Sequence, residues 1–156
     1  MEIRRAEEKD IEQVSHLLSE VLEIHAKIRP DIFISGTTKY SHDELRKIFQ
    51  DDNRPVFVAV DERDQVLGYA FCQLERQPFS TNMRDFRTLY IDDLCVDQKA
   101  RGKGTGKALY QFVCDFARKK GCYDVTLNVW EGNDNARAFY DRMGLKVKET
   151  TLEHIL

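Results

Sequence analysis

Residues 90–109 read YIDDLCVDQKARGKGTGKAL, and this stretch decides the fold of the chain. The apolar run at 90–96 predicts a strand, a polar turn follows, and glycines at 102, 104 and 106 precede a predicted helix. Backbone N–H groups at a helix start have no partner inside the helix, and glycines let a ligand approach them closely. Together with the helix dipole, these groups form a site for an anion, most often a phosphate.

Two common phosphate-binding patterns do not fit this stretch. The nucleoside-triphosphate loop ends in Gly-Lys followed by Ser or Thr and begins with a glycine. Here Gly106 and Lys107 are followed by Ala108, and Arg101 stands where the first glycine is required. The dinucleotide fingerprint needs Gly-x-Gly-x-x-Gly, whereas these glycines occur at every second position.

A third pattern, Arg/Gln-x-x-Gly-x-Gly/Ala, is matched by Arg101, Gly104 and Gly106. On these residues the stretch resembles the GCN5-related N-acetyltransferases, whose loop holds the pyrophosphate of coenzyme A. The resemblance implies that acetyl-CoA is the cosubstrate. The residues that it assigns to this loop are Arg101, Gly102, Lys103, Gly104, Thr105, Gly106 and Lys107.

Composition restricts the function further. The 156 residues suit one domain, 1–156, and the net charge of −3 with both signs interspersed argues against nucleic acid as a partner. No apolar run is long enough to span a membrane, and the first residues do not resemble a signal peptide. The 4 cysteines lack metal-ligand spacing, so we expect reduced thiols, no metal and a cytoplasmic location.

The hydrophobic periodicity along the chain predicts the order β-α-α-β-β-β-α-β-α-β. This order indicates an α/β fold in which about four helices flank a mixed, mostly antiparallel sheet of six to seven strands. It matches the order of the acetyltransferase family over essentially the whole chain. The last predicted strand is Leu145–Leu152, and the apolar tail 150–156 leads us to expect a homodimer.

Residues 133–145 form a second segment similar to the family, with the pattern Asn-x-x-Ala-x-x-Phe-Tyr-x-x-x-Gly-Phe and Leu145 in place of the last Phe. The resemblance implies that Tyr140 is the general acid that protonates the leaving thiolate. A tyrosine pKa near 10 suits that role at neutral pH. The alternative is that Tyr140 is a core aromatic residue.

The resemblance also implies that the pantetheine arm lies between the strands bearing Leu94 and Asn128, which splay apart. Backbone groups of Leu94, Cys95 and Val96 would then pair with it like a missing strand. Cofactor-facing roles follow for Asn128, Asn133 and Asn135. Helix capping is the alternative for Asn133, because asparagine caps free N–H groups at a helix start.

The predicted strand at 90–96 contains two acids, Asp92 and Asp93. Burying a carboxylate costs free energy unless it is paired, so these acids are expected to have a partner or a function. Strict alternation places Asp92 with Leu94 and Val96 on one face, and Asp93 with Ile91 and Cys95 on the other. Residues 90–96 are similar to a Tyr-Leu-Glu-Asp run of polyamine acetyltransferases, in which the glutamate is the base. Asp92 stands at that position with a shorter side chain, so direct proton removal, a water relay and recognition of a cationic amine stay open. An ion pair with Arg84 or Arg87 is a structural alternative.

These features favour an N-acetyltransferase that moves an acetyl group from acetyl-CoA directly to a primary amine in a ternary complex. A small-molecule amine is the favoured acceptor, and a protein N-terminus or lysine is an alternative. The rival class is a non-catalytic acyl-CoA-binding sensor. We expect acceptor choice to depend on the loops Ile28–Tyr40 and Gln77–Asp85 and on the last strand.

Overall fold

The computed structural model describes residues 1–78 and 80–156, so the predicted loop Gln77–Asp85 includes one position, 79, that lies outside the described residues. The strands are β1 (Glu2–Arg5), β2 (Val56–Val60), β3 (Val66–Arg76), β4 (Arg87–Val96) and β5 (Asp124–Leu127). The helices are α1 (Ile11–Ile28), α2 (His42–Gln50), α3 (Thr105–Lys119) and α4 (Asp134–Arg142).

The strands form one sheet in the order β1-β2-β3-β4-β5. The pairs from β1 to β4 are antiparallel, and β5 joins β4 in parallel. The predicted α/β class and the mixed, mostly antiparallel sheet are therefore confirmed. The predicted strand count of six to seven is wrong for the described residues, which form five strands, because 145–156 make no ladder with any strand.

Apolar side chains on both faces of the sheet hold the helices. On one face, α1 and α2 bury residues such as Leu17 and Leu45 against Tyr69 of β3. On the other face, α3 buries Val113 against Leu89 of β4. Because both faces are covered, β2 is buried along its whole length, and the sheet is a rigid support for the loops at its edges.

An ion pair fixes the start of α1. The guanidinium of Arg4 donates two hydrogen bonds, of 2.7 and 2.9 Å, to the carboxylate of Asp10, which is only 1% exposed. The backbone N–H of Glu7 donates to the same carboxylate at 2.8 Å. A buried carboxylate with three donors is well compensated. It sets the position at which the chain leaves β1 and enters α1.

Candidate functional site

The loop before α3 is shaped by two glycines in the left-handed region. Gly102 has φ 75° and Gly104 has φ 83°, and a Cβ atom at either position would meet nothing within 4 Å. Glycine is therefore required for the backbone angle and not for space. Gly104 precedes the first turn of α3 and offers it no side-chain cap. Among the described residues, no acceptor takes the backbone N–H groups of residues 105–107.

Basic side chains surround these free donors. The guanidinium of Arg101 donates from Nε to the carbonyl of Val96 at 3.1 Å, which ties the loop to the end of β4. Lys103 and Lys107 are exposed, whereas Thr105 is buried and its hydroxyl donates to the carbonyl of Ala100 at 3.4 Å. The side chain of Thr105 is thus structural, and its backbone N–H is the group available to a ligand. The arrangement fits a diphosphate.

β4 has an open edge next to this loop. Its pairing with β5 covers Thr88–Ile91 and Asp124–Leu127, whereas its pairing with β3 continues to Val96. The backbone of residues 92–96 is therefore unpaired on the side of β5 among the described residues. This is the splayed geometry that the family resemblance implies. The amide of Asn128, just after β5, donates to the Tyr90 hydroxyl at 3.3 Å across the two strands.

A β-bulge interrupts β4 at the two acids. Phe71 of β3 pairs with Asp93 and Cys72 pairs with Ile91, so Asp92 is an extra residue in β4. Such an extra residue breaks the alternation of side chains. Ile91 and Leu94 both pack on the α3 side, whereas Cys95 packs on the α1 and α2 side.

The strict alternation predicted for this strand is therefore wrong at this point. Both acids contact groups on the α1 and α2 side, since Asp92 binds Lys39 and Asp93 binds Tyr69. Cys95 turns its thiol into the core on that side, where burial raises the thiol pKa to about 12. Only the backbone of Cys95 is left for a cofactor.

Asp92 holds a primary ammonium. The Nζ atom of Lys39 donates to Oδ2 of Asp92 at 2.7 Å, and the Asp92 side chain is 22% exposed. Partial burial, the largest single effect, lowers the pKa of Lys39, but the hydrogen bond to Asp92 and the charge of that carboxylate together with its neighbours outweigh burial, so the pKa is raised. The partner is a lysine from the loop between α1 and α2, not Arg84 or Arg87 as in the alternative considered from sequence.

Asp93 lies deeper and has a different role. It accepts a hydrogen bond of 2.8 Å from the hydroxyl of Tyr69, a side chain with no exposed surface. Burial raises the pKa of Asp93 to about 6, against the opposing effects of the Tyr69 hydrogen bond and the Lys39 charge. The negative charge of Asp93 in turn acts on Tyr140.

Tyr140 lies on α4 and is 9% exposed. Burial raises the pKa of its hydroxyl, and the charge of Asp93 raises it further, so the hydroxyl stays protonated at neutral pH. The preceding Phe139 packs against the first turn of α3, where a Cβ on Gly106 would meet its ring at 3.3 Å. This contact places α4 beside the glycine loop.

The asparagines that were predicted to face the cofactor differ in their structural environment. Asn133 caps α4, and its side chain accepts a hydrogen bond from the N–H of Ala136 at 3.3 Å. Capping, the alternative considered from sequence, is therefore confirmed as one role of Asn133. Asn135 is exposed on the first turn of α4. The cofactor-facing roles of Asn128, Asn133 and Asn135 stay predictions.

The loop between α1 and α2 is held by contacts that the sequence did not reveal. The carboxylate of Glu23 on α1 accepts hydrogen bonds from the Ser35 hydroxyl at 2.6 Å and the Gly36 N–H at 2.7 Å. These two bonds lower the pKa of Glu23. The ring of Phe33 lies between His25 and Trp130, with ring centroids 5.2 and 5.3 Å away.

His25 on α1, which packs against Phe33, is half-buried. Burial lowers its pKa, and the charge of Lys39 lowers it further, so its imidazole is neutral near pH 7. The preceding turns of α1 line a cavity of about 240 Å³. The same cavity is lined by Cys95, Gln98 and Arg101, at the junction of β4 and the glycine loop.

No group of His, Cys, Asp and Glu side chains within residues 1–78 and 80–156 could hold a metal ion. The helices in this part of the chain include none that is both long and apolar enough to cross a membrane.

Comparison with known proteins agrees with this geometry. The sequence pattern of the "Acetyltransferase (GNAT) family" matches residues 18–145. The chain is 38% identical over 60 residues to glucosamine 6-phosphate N-acetyltransferase of Trypanosoma brucei brucei, a match that covers 38% of this chain and 39% of that protein. It is 26% identical over 151 residues to thialysine N-epsilon-acetyltransferase of Bos taurus, covering 91% of this chain and 82% of that protein.

A solved structure extends the similarity to the whole fold. A mutant of the BH1408 protein from Bacillus halodurans superposes with a TM-score of 0.95 at 33% identity, over 100% of this chain and 99% of that chain. The overall fold is therefore shared with that protein.

Proposed function

This chain belongs to the GNAT acetyltransferase family, and we propose that it transfers an acetyl group from acetyl-CoA directly to a primary amine in a ternary complex. One observation carries the proposal. The open edge of β4 leads from the free N–H groups at the start of α3 to Asp92, whose carboxylate already binds a primary ammonium, that of Lys39, at 2.7 Å.

The free donors and basic side chains fit the diphosphate of coenzyme A. The N–H groups of residues 105–107 would hold it together with Arg101, Lys103 and Lys107. The unpaired backbone of Leu94–Val96 offers the donors and acceptors of a strand edge to the amides of the pantetheine arm. When bound, acetyl-CoA supplies an activated thioester.

Asp92 and Tyr140 have separate roles in amine binding and proton transfer. Asp92 binds the acceptor as an ammonium, and its partly exposed carboxylate gives the departing proton a route to solvent, directly or through a water molecule. Tyr140 keeps its proton because its pKa is raised, so it can donate that proton to a leaving thiolate. Both substrates are bound together, so no covalent enzyme intermediate is required.

A small amine is the favoured acceptor. The two curated relatives described above are named for acceptors that are an amino sugar phosphate and a lysine analogue. The Lys39 side chain shows that a flexible alkylammonium reaches Asp92. A protein N-terminus or lysine is the alternative acceptor. A cytoplasmic location also stays a prediction, based on four cysteines that are all free thiols.

The proposal is tested by calorimetry with acetyl-CoA and by thiol release across a panel of diamines, amino sugars and lysine peptides. We expect acetyl-CoA binding and turnover that depends on one amine class. Replacing Tyr140→Phe is expected to lower kcat by about 100-fold or more, the contribution of a general acid, with the Kd for acetyl-CoA unchanged. Tyr123→Phe, at a residue that is 79% exposed, is the matched control and is expected to change neither quantity.

The rival function, a non-catalytic acyl-CoA sensor, predicts a different result. In that case the chain would bind acetyl-CoA, no amine of the panel would release thiol, and Tyr140→Phe would change nothing. Absence of any heat with acetyl-CoA at millimolar concentration would contradict both functions.

A homodimer is part of the proposal as well, because the tail 150–156 leaves its apolar side chains exposed.

A further inference from the structure

One lysine of this chain already lies in the proposed amine site. The Nζ atom of Lys39 donates at 2.7 Å to Oδ2 of Asp92, the carboxylate to which we assign binding of the acceptor. Lys39 carries the functional group that the proposed reaction acetylates, a primary ammonium on a flexible alkyl chain. The ion pair therefore has the composition of a complex between the enzyme and an amine acceptor.

The other lysine ion pairs in the part of the chain that the structure describes lie away from β4. Lys9 pairs with Asp64 in the turn between β2 and β3, and Lys148 pairs with Asp124 at the start of β5. Lys39 is thus the only lysine, among the described residues, whose ammonium pairs with an acid of β4. Position selects it over the remaining lysines.

The backbone on the C-terminal side of Lys39 is fixed. The ring of Tyr40 stacks on the ring of Phe71, with centroids 5.9 Å apart, at the border of the core on the α1 and α2 side. Ser41 caps α2 and accepts from the N–H of Glu44 at 3.1 Å. A lysine delivered from a fixed backbone has a high effective concentration at Asp92, because it loses little further freedom on binding there.

The ammonium of Lys39 also lies near the proposed acid. Burial has the largest effect on the pKa of both groups, lowering that of Lys39 and raising that of Tyr140, and the negative charge of Asp93 raises both pKa values. Because such an effect weakens with distance, both groups lie near Asp93. The amine and the proton donor are therefore arranged around one buried carboxylate.

We propose, given the acetyltransferase activity proposed above on which this inference rests, that the chain acetylates the Nζ atom of its own Lys39. The Nζ atom forms a bond to the acetyl carbon while the bond between that carbon and the sulfur of the thioester breaks. The ammonium loses two protons. One leaves through Asp92 to water, and the other replaces the proton that Tyr140 donates to the leaving thiolate.

The product changes the charge of the amine site. Acetylated Lys39 is a neutral amide, so the modification removes the ion pair and leaves Asp92 free for the ammonium of an external acceptor. The acetyl group stays attached to the chain. Each chain therefore acetylates itself once, whereas an external amine is turned over repeatedly.

The first test is mass spectrometry of the full-length chain after incubation with acetyl-CoA and no amine. We expect one acetyl group per chain, at Lys39, and thiol release that stops at one equivalent. Lys39→Arg keeps the positive charge beside Asp92, but a guanidinium stays protonated and is not an acceptor, so this variant is expected to remain unmodified. Lys47→Arg, at an exposed position of α2, is the matched control and is expected to be acetylated like wild type.

The second test separates self-acetylation from chemical modification by the thioester. Tyr140→Phe is expected to slow acetylation of Lys39 by about 100-fold, and calorimetry with acetyl-CoA verifies that this variant is folded. When it is mixed with wild type, its own Lys39 is expected to remain unmodified, because the transfer occurs within one chain. Equal acetylation of Lys27, Lys39 and Lys47, or acetylation of the variant by wild type, would overturn the proposal.

The panel of external amines separates this proposal from the proposed function. Turnover of an amine by a chain whose Lys39 stays unmodified would overturn self-acetylation alone. Absence of transfer to the panel and to Lys39 alike would overturn the proposed function as well. Acetylation of Lys39 that depends on Tyr140, without turnover of the panel, would support self-acetylation and would show that the external acceptor lies outside the classes tested.

Discussion

The Nζ atom of Lys39 lies 2.7 Å from Oδ2 of Asp92 and connects the loop between α1 and α2 to the bulged segment of β4. The Lys39 side chain is 42% exposed. Its Nζ atom also lies 5.4 Å from the ring centroid of Tyr40. A cationic acceptor that binds Asp92 must displace this lysine. The contact is therefore an internal competitor for the proposed amine site.

Replacing Lys39→Met is expected to lower the KM for the amine, because the acceptor no longer competes with the lysine. An ion pair of this exposure is worth about 0.2–1 kcal/mol, which corresponds to a decrease of up to about fivefold. Initial rates across amine concentrations measure it. Lys47→Met, at an exposed position of α2, is the control and is expected to leave KM unchanged. A higher KM in the Lys39 variant would mean that the lysine helps to bind the acceptor.

Replacing Asp92→Asn is expected to weaken the binding of the amine and to leave the binding of acetyl-CoA unchanged. Removing one charge of a hydrogen-bonded pair with an ammonium costs about 1.5–3 kcal/mol, so kcat/KM should decrease by about 10- to 150-fold. Steady-state kinetics together with calorimetry separate the two ligands. Asp115→Asn removes an exposed carboxylate, paired with Arg118 on α3, and should have no effect. An equal loss of acetyl-CoA affinity in the Asp92 variant would contradict the prediction, because it would show that Asp92 does not act on the amine alone.

The two ends of α3 offer a matched pair of glycines. Gly104 has φ 83° and Gly121 has φ 72°, and a Cβ at either would meet nothing within 4 Å. Alanine at either position should therefore cost a similar free energy of unfolding, about 1–2 kcal/mol, from the left-handed backbone angle. Gly104→Ala is expected to weaken acetyl-CoA binding in addition, whereas Gly121→Ala is not. Urea unfolding and calorimetry measure the two effects, and equal acetyl-CoA affinities would show that the loop conformation does not determine binding.

Asp93→Asn is expected to change how stability depends on pH. Burial raises the pKa of Asp93 to about 6 in the folded chain, compared with about 3.9 in an unfolded one. The folded state therefore binds the proton more tightly, and this contribution to stability is present below about pH 4 and is lost as the pH rises through 6. The amide carries no charge, and its oxygen can still accept from the Tyr69 hydroxyl.

The free energy of unfolding of the Asp93→Asn variant should therefore increase relative to wild type between pH 4.5 and pH 8. The size follows from a shift of about two pKa units at 1.36 kcal/mol each, reduced by residual solvent contact to about 1–2 kcal/mol. Urea unfolding at several pH values measures the difference. A constant difference across this range would show that Asp93 titrates normally.

The amino-acid sequence by itself determined the features that depend only on residues close together along the chain. The loop at 101–107 was identified from its glycines, since left-handed backbone angles and a free helix start are local properties. The α/β class followed from periodicity, and the capping role of Asn133 from its place before α4.

Only the tertiary structure decided where the acids point and which strands find partners. The bulge at Asp92 arises from the register between β3 and β4, and the contact of Lys39 with Asp92 joins residues that are 53 positions apart. The predicted strand Leu145–Leu152 has the composition of a strand, but it makes no ladder within its own described chain. A strand forms only where another backbone supplies hydrogen bonds, and that condition depends on the assembled sheet and not on the local sequence.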